Sequence, residues 1–368
     1  MTELDAILAE VERADAALLR AAAERRASAR RLREAARDLV PEERLALQRR
    51  LEDSLRRAAD GAELSLECVR ELTAEKASEP RSETFSVPGL DPRPVVLIGG
   101  RGGMGRTLAR HFERSGSVVR ILEKDDWPRA HEILSGAGVV MVGVPIDATE
   151  AVVRMAAPHL EPDALLCDIA SVKTGPVRAM LEAHSGPVAG FHPMFGPDVV
   201  DYARQVFVYV PGRSPEAAEP LLRLIRAWGA RVVRTTAEEH DRSMGIIQAL
   251  RHFTTYAYGL FLARVRPDLG KLLELSSPIY RLELLMVGRL FAQDPHLYAD
   301  IIMASKEKGE LIRAYVESLA PEVERVLARD RDGFVERFLE ARAYFGDWAP
   351  EFMRESGELL ARIQAARR

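Results

Sequence analysis

Pro94-Val-Val-Leu-Ile-Gly-Gly-Arg-Gly-Gly-Met-Gly105 sets the fold class. A short apolar run meets Gly100, Gly102 and Gly105 in the spacing G-x-G-x-x-G. A strand that turns at once into a helix around a phosphate needs that spacing. The first glycine permits the tight turn, the second lets a pyrophosphate reach the backbone, and the third lets helix and strand pack closely. A helical pattern follows from Met104 to Arg114, then a second strand from Ser117 to Glu123. Glu123 ends that strand, where an acid would hold the hydroxyls of an adenosine ribose. The glycine spacing alone is a weak signal, but strand, loop, helix and acid in this order read as a dinucleotide site. Glu123 favours NAD, because a carboxylate repels a 2′-phosphate, although Arg101 and Lys124 nearby weaken the preference. Gly103 and Met104 in the loop, with Pro145 after the next strand, complete the candidate cofactor contacts.

Further strands are expected at Val139–Val144, Ala164–Asp168, Val206–Val210 and Arg231–Arg234. Helical stretches separate them, which predicts an α/β fold with a parallel, doubly wound sheet of Rossmann type over residues 94–240. In front of it, residues 1–80 are rich in Ala, Arg, Glu and Leu. Leu4, Ile7, Leu8, Val11, Ala14, Leu18 and Leu19 repeat with a helical period. Pro41 interrupts the pattern, a second helix is expected from Pro41 to Ala59, and a third runs from Ser65 towards Lys76. This module reads as all-helical. The Pro- and Ser-rich stretch over 81–93 reads as a linker. Helical periodicity returns near Glu238, so residues 241–368 are expected to form a helical C-terminal domain.

The 368 residues are 47% hydrophobic and carry a net charge of −4, so no basic field points to a nucleic-acid partner. No apolar run approaches the roughly 20 residues that span a bilayer, and no membrane association is expected. Cys68 and Cys167 are far apart and form no C-x-x-C pair, which argues against a disulfide framework or a bound metal. Together with an N-terminus unlike a signal peptide, this favours the cytoplasm.

Two stretches carry candidate chemistry: Asp168-Ile-Ala-Ser171-Val-Lys173 and Gly190-Phe-His192-Pro-Met-Phe-Gly-Pro197. Both fall at carboxyl ends of expected strands, where doubly wound folds place their sites. His192, bounded by Gly and Pro, is expected in a defined loop. There it can take a proton from a substrate hydroxyl while hydride leaves the same carbon. Ser171 can hydrogen-bond that histidine or the hydroxyl.

His192–Pro197, the D-x-x-S-V-K run and the block SSPIYRLELLMVGRLFAQDPHLYADIIM (276–303) together resemble prephenate dehydrogenase. The likeness is greatest to the bifunctional chorismate mutase–prephenate dehydrogenases of enteric bacteria. The resemblance implies that hydride passes from C4 of prephenate to NAD, CO2 leaves C1, and 4-hydroxyphenylpyruvate, the precursor of tyrosine, is formed. It implies that His192 deprotonates the C4 hydroxyl with Ser171 beside it, that Arg289 binds a substrate carboxylate, and that His252 lines the pocket. Arg281 and Tyr280 are further substrate-binding candidates, while His111 and His240 receive no role. A homodimer through the C-terminal helices is also implied. Phe253–Leu262 and Leu282–Leu290 would otherwise expose apolar surface or form the domain's own core.

The N-terminal module matches a mutase only in part. Arg25 and Glu43-Arg44 fit the pattern, but Leu8 stands where the first helix carries an arginine, and Ala36, beside Arg37, where a lysine is expected. A mutase stabilises a dicarboxylate with cations, so the module is expected to be inactive or weak. A fully bifunctional enzyme, a dehydrogenase of an amino-substituted prephenate, and a regulatory NAD-binding protein are the alternatives.

Overall fold

The computed structural model describes residues 3–35, 47, 50, 53–55, 57–61, 92–199 and 201–365. The chain divides into two compact units, Met1–Pro80 and Arg81–Arg368.

The first unit is built on a long helix, α1 (Glu3–Ala35). Its repeat of apolar residues sets Ile7, Leu8, Val11 and Leu18 along one face, and each is about half exposed. The expected third helix, most of the second, Glu43, Arg44, Ala36, Arg37, Cys68 and nearly all of the linker lie outside the described residues.

The second unit contains a seven-stranded sheet in the order β2-β1-β3-β4-β5-β6-β7. The strands are β1 (Val95–Ile98), β2 (Val119–Leu122), β3 (Val139–Val142), β4 (Leu165–Asp168), β5 (Val188–Pro193), β6 (Val206–Pro211) and β7 (Arg231–Arg234). β1 to β5 are parallel. Helices α2 (Gly103–Arg114), α3 (Ala130–Leu134), α4 (Ile146–Ala156), α5 (Thr174–Ala183) and α6 (Glu219–Ala227) connect or cover the strands. Short apolar strands buried on both faces are what a covered parallel sheet requires. Alternate residues feed two cores. Val95, Leu97, Phe112, Phe191 and Leu224 meet on one face, and Val96, Ile98, Val140, Leu166 and Met180 on the other.

Two expectations need correction. The sheet is not wholly parallel, because β6 runs antiparallel to β5 and β7 follows it in parallel. His192 is not in a loop but inside β5, a strand that the sequence reading missed and whose six residues are all buried. Gly190 and Pro193 disguise it, since both weaken strands in general. Here Pro193 is the last strand residue. A Cβ on Gly190 would sit 2.9 Å from a Val177 methyl and 3.0 Å from Cδ of Lys173, so glycine is needed for close packing of α5.

Register aligns Leu122, Ile98, Val142, Asp168 and Gly190 in one row at the carboxyl ends of the parallel strands. The strand order reverses between β1 and β3, the position where such sheets bind ligands. Gly99 there has φ +81°, and a Cβ on it would strike the Gly143 carbonyl oxygen at 2.5 Å.

After the sheet come α7 (Ala237–Met244), a π-helical turn (Gly245–Leu250), α8 (Arg251–Val265), α9 (Leu269–Leu275), α10 (Pro278–Phe291) and α11 (Pro295–Ile302). α12 (Lys306–Leu327), α13 (Arg331–Phe345) and α14 (Trp348–Ala365) complete the chain. No described helix is long and apolar enough to cross a membrane.

A Cβ at Gly105 would lie 2.5 Å from the Gly99 carbonyl oxygen and 2.6 Å from Cα of Gly100, both rigid backbone. Gly105→Ala is therefore expected to push α2 away from β1 and to destabilise the fold by about 1–3 kcal/mol. Thermal unfolding checks this; an unchanged Tm would show that the loop tolerates the methyl.

Candidate active site

The glycine loop follows β1 directly. Gly102 caps α2 without any side-chain hydrogen bond, and the first turn of α2 contains no acid. Its leading N–H groups are thus suited to an anion. Arg101 donates its backbone N–H to Oε1 of Glu123 at 2.6 Å, which brings the acid at the end of β2 beside the loop. Gly100, Arg101, Arg106, Ala109, Arg110 and Ile121 line an open cleft at this edge. Gly103 and Met104 open α2, and Pro145 precedes α4 across the strand-order reversal. The close approaches at Gly99 and Gly105, the uncapped amides and the acid together fit a dinucleotide.

The same helix supports the segment after β5. A Cβ on Gly103 would lie 3.1 Å from the Pro197 ring. Thr107 shares a 2.7 Å hydrogen bond with the Tyr202 hydroxyl. Tyr202 packs 4.9 Å from Phe195 and stacks on His111 at 3.7 Å. His111 is therefore part of the packing that joins α2 to the His192–Pro197 segment.

His192 is 3% exposed. Its Nδ1 lies 2.9 Å from Nε2 of His240, and its Nε2 lies 3.2 Å from Nε2 of Gln248. Nδ1 of His240 lies 2.8 Å from Oδ1 of Asp241. Asp241 also accepts the backbone N–H groups of Lys173 at 2.8 Å and Thr174 at 2.9 Å. These bonds fix the tautomers. A carboxylate only accepts, so His240 Nδ1 carries a proton. When the His240 ring is neutral it accepts at Nε2, and His192 donates from Nδ1. The lone pair of His192 is left on Nε2, where the Gln248 amide N–H meets it.

Electrostatics agree. Burial pushes the His192 imidazole well below its ordinary value of 6.5; His240, whenever it is protonated, and the charges of Lys173 and Lys308 add to this. Burial alone would raise the Asp241 carboxyl, but the hydrogen bonds from His240, Thr174 and Lys173 outweigh it and hold the group far below the usual carboxylate range. Beneath the network, Lys173 and Asp168 form a fully buried ion pair. Ala170 donates its N–H to Asp168 Oδ2 at 2.9 Å. Burial raises the Asp168 carboxyl and lowers the Lys173 ammonium.

The sequence-derived candidates are dispersed around this centre. Ser171 is half-buried in the β4–α5 loop. It is not the hydrogen-bond partner of His192, because His240 and Gln248 occupy both ring nitrogens. His240, which the sequence left without a role, is 2% exposed and bonded to His192. His252 packs edge-on against Tyr298 at 4.9 Å. Arg289 is exposed and ion-paired with Asp198 at 2.6 Å, in the segment following Pro197. Tyr280 meets the Tyr258 hydroxyl at 3.4 Å. Among the described residues, no hydrogen bond or ring contact joins His252, Tyr280 or Arg281 to His192. Asp241 and Gln248 escaped the sequence reading as well. The adjacent His240-Asp241 pair was a visible signal, but Gln248 reaches His192 only because the π-helical turn carries it there.

Comparison with known proteins places this chain in a family. Residues 115–234 match the prephenate dehydrogenase nucleotide-binding domain, and residues 236–340 match the prephenate dehydrogenase dimerization domain. The T-protein of Enterobacter agglomerans is 48% identical over 292 residues, 79% of this chain and 78% of that protein. The T-protein of Haemophilus influenzae is 42% identical over 323 residues, 87% of this chain and 85% of that one. That second match is longer than the whole Arg81–Arg368 unit and so reaches into the N-terminal unit. The crystal structure of prephenate dehydrogenase from A. aeolicus, in complex with hydroxyphenyl propionate and NAD+, superposes with a TM-score of 0.54 at 19% identity. It covers 70% of this chain and 98% of that one, which speaks to the fold. With both domains matched in order and nearly half the residues shared with a T-protein over most of its length, this chain belongs to the prephenate dehydrogenase family, close to the T-proteins.

Proposed function

We propose that the protein oxidises prephenate with NAD to give 4-hydroxyphenylpyruvate, CO2 and NADH. The observation that carries this reading is the Nε2 lone pair of His192, held in place by His240 and Asp241 at the carboxyl edge of the sheet. The bound nicotinamide supplies the acceptor for the hydride that leaves C4. His192 Nε2 accepts the C4 hydroxyl proton in that step. Loss of CO2 from C1 sends its bonding electrons through the ring to the C4 oxygen, and the proton on His192 returns there to give the phenol. Aromatisation makes the sequence irreversible. Gln248 releases Nε2 to the substrate hydroxyl, and Ser171 hydrogen-bonds that hydroxyl from the β4–α5 loop. Arg289 turns from Asp198 to a substrate carboxylate, which its planar fork suits. His252 lines the pocket on Tyr298, with Arg281 and Tyr280 as further contacts.

Gly100, Gly102, Gly103, Met104, Gly105 and Pro145 hold the dinucleotide, and Glu123 selects NAD by taking the adenosine ribose hydroxyls. We further infer a homodimer, since the domain matched over 236–340 is described as a dimerization domain. Ile279, Leu285, Phe291 and Val326 are each about half exposed or more in the single chain. The sequence features favour the cytoplasm. The N-terminal module is inactive or weak as a mutase, because Leu8, half exposed on α1, supplies no cation.

Steady-state assay with prephenate and NAD tests the main reading: turnover is expected, and none would refute it. His192→Asn should bind NAD normally while kcat falls by about 10²–10⁴.

Asp241→Asn should lower kcat over a similar span of about 10²–10⁴, with the KM for NAD unchanged, because an amide has one acceptor oxygen where the carboxylate has two. The base must be unprotonated, and burial lowers its pKa. The acid limb of kcat/KM is therefore expected below pH 6.5. A limb above that value would contradict the assignment.

Chorismate supplied to the full-length protein should yield little or no prephenate; turnover near that of an active mutase would overturn the reading of the N-terminal module.

A further inference from the structure

Lys308 lies in the first turn of α12 and is 4% exposed. Its backbone N–H bonds the Ser305 cap at 3.3 Å. Among the described residues its ammonium has a single hydrogen-bond partner, the Ile301 carbonyl at 3.4 Å. An ammonium carries three donors, so two are unmet in a place from which water is largely excluded. No carboxylate of the described residues lies within ion-pair distance of it. This differs from the other buried lysine, Lys173, which is matched by Asp168.

Its position gives this surplus charge a meaning. α12 packs on the π-helical turn that delivers Gln248 to His192: a Cβ on Gly245 would lie 3.2 Å from Cδ2 of Leu311, one turn on from Lys308. Oε1 of Gln248 is itself buried without a partner. Burial lowers the Lys308 ammonium and Asp241 opposes that shift, while the lysine charge in turn lowers the His192 imidazole. The helix that carries this cation thus packs on the turn that carries Gln248.

Prephenate is a dicarboxylate. Arg289 can answer one carboxylate, but it is exposed and engaged by Asp198. We propose that Lys308 is a second substrate-binding cation, which meets a carboxylate of prephenate from the buried side of the pocket. A buried unpaired charge is costly to a fold, and binding a carboxylate relieves that cost. The competing role is structural: a lysine closing the last carbonyls of α11, as cations often do at helix ends. The inference rests on the prephenate reading, and the two can fail separately.

The test is Lys308→Met in the full-length protein, with wild type alongside. Loss of one charge-assisted contact should raise the KM for prephenate by about 10–100-fold. The KM for NAD should stay near wild type, the Tm should not fall because the variant removes a buried charge, and Lys308→Arg should recover part of the loss. Inhibition by 4-hydroxyphenylpyruvate then identifies the carboxylate. Weakened inhibition assigns Lys308 to the side-chain carboxylate, which the product retains. Unchanged inhibition beside a raised prephenate KM assigns it to the ring carboxylate, which leaves as CO2. An unchanged prephenate KM in folded Lys308→Met overturns the proposal. If the methionine variant does not fold, Lys308→Gln supplies the same comparison. A wild type that ignores prephenate sinks the substrate reading instead.

Discussion

The Asp241 carboxylate holds the site together. It accepts hydrogen bonds from three separate groups: the His240 ring and the two backbone amides that begin α5. One oxygen takes the Lys173 amide and the His240 proton, and the other takes the Thr174 amide. The carboxylate belongs to α7, in the part of the chain that matches the dimerization domain, while its amide partners begin α5, in the part that matches the nucleotide-binding domain. A single half-buried acid therefore docks the helical region on the nucleotide fold and bears on which nitrogen of His192 is basic. Positioning and tautomer selection are not separate devices here. Any shift of α7 away from the β4–α5 loop would loosen both together.

The layer below answers a different need. Lys173 contributes its amide to Asp241 and its ammonium to Asp168. Both side chains of that pair are fully buried, and Oδ1 of Asp168 has no partner. Buried ion pairs of this kind seldom add net stability, yet removal of one partner commonly costs about 3–5 kcal/mol, because the other is stranded. The pair keeps the loop that carries Ser171 in one place beneath the histidines. Gly190 is part of the same arrangement: the absence of a side chain there lets the Lys173 stem lie against β5.

The regular parts of this design were legible in the sequence. Glycine spacing, the acid after β2 and the apolar strand runs all have local causes, and β1 to β4 fall close to where they were expected. β5 was hidden because its glycine and proline answer to packing partners far away in sequence, which local propensity cannot register. The antiparallel turn of β6 was hidden for a related reason, since strand direction depends on a connection rather than on composition. Around the buried histidines, His192 was legible through its motif, while Arg289 was singled out by resemblance and lies exposed on Asp198. His240, Asp241 and Gln248 were not, because their contacts with His192 and with one another depend on how α7 and one π-helical turn pack. A residue that acts through another carries no signature of its own.

The glycine loop and the histidine network are joined through α2 and the segment after β5. Gly103 begins the helix at the nucleotide loop, and the backbone there closes on Pro197. One turn later Thr107 holds Tyr202, whose ring packs on Phe195. The segment that follows His192 is thus clamped at two points by the helix whose N-terminus faces the cofactor phosphates. Such packing transmits small displacements because protein interiors have little free volume. Dinucleotide binding that steadies α2 would also steady Phe195 and Pro197, and with them the approach of Asp198 and Arg289. The surface ion pair between those two is worth little in itself, so on the proposed role of Arg289 a substrate carboxylate would have to overcome only a weak contact. Rigid support near the hydride acceptor and an easily exchanged cation at the outer edge are the two properties required of a site that must hold one reacting carbon still and release a product that has lost a charge.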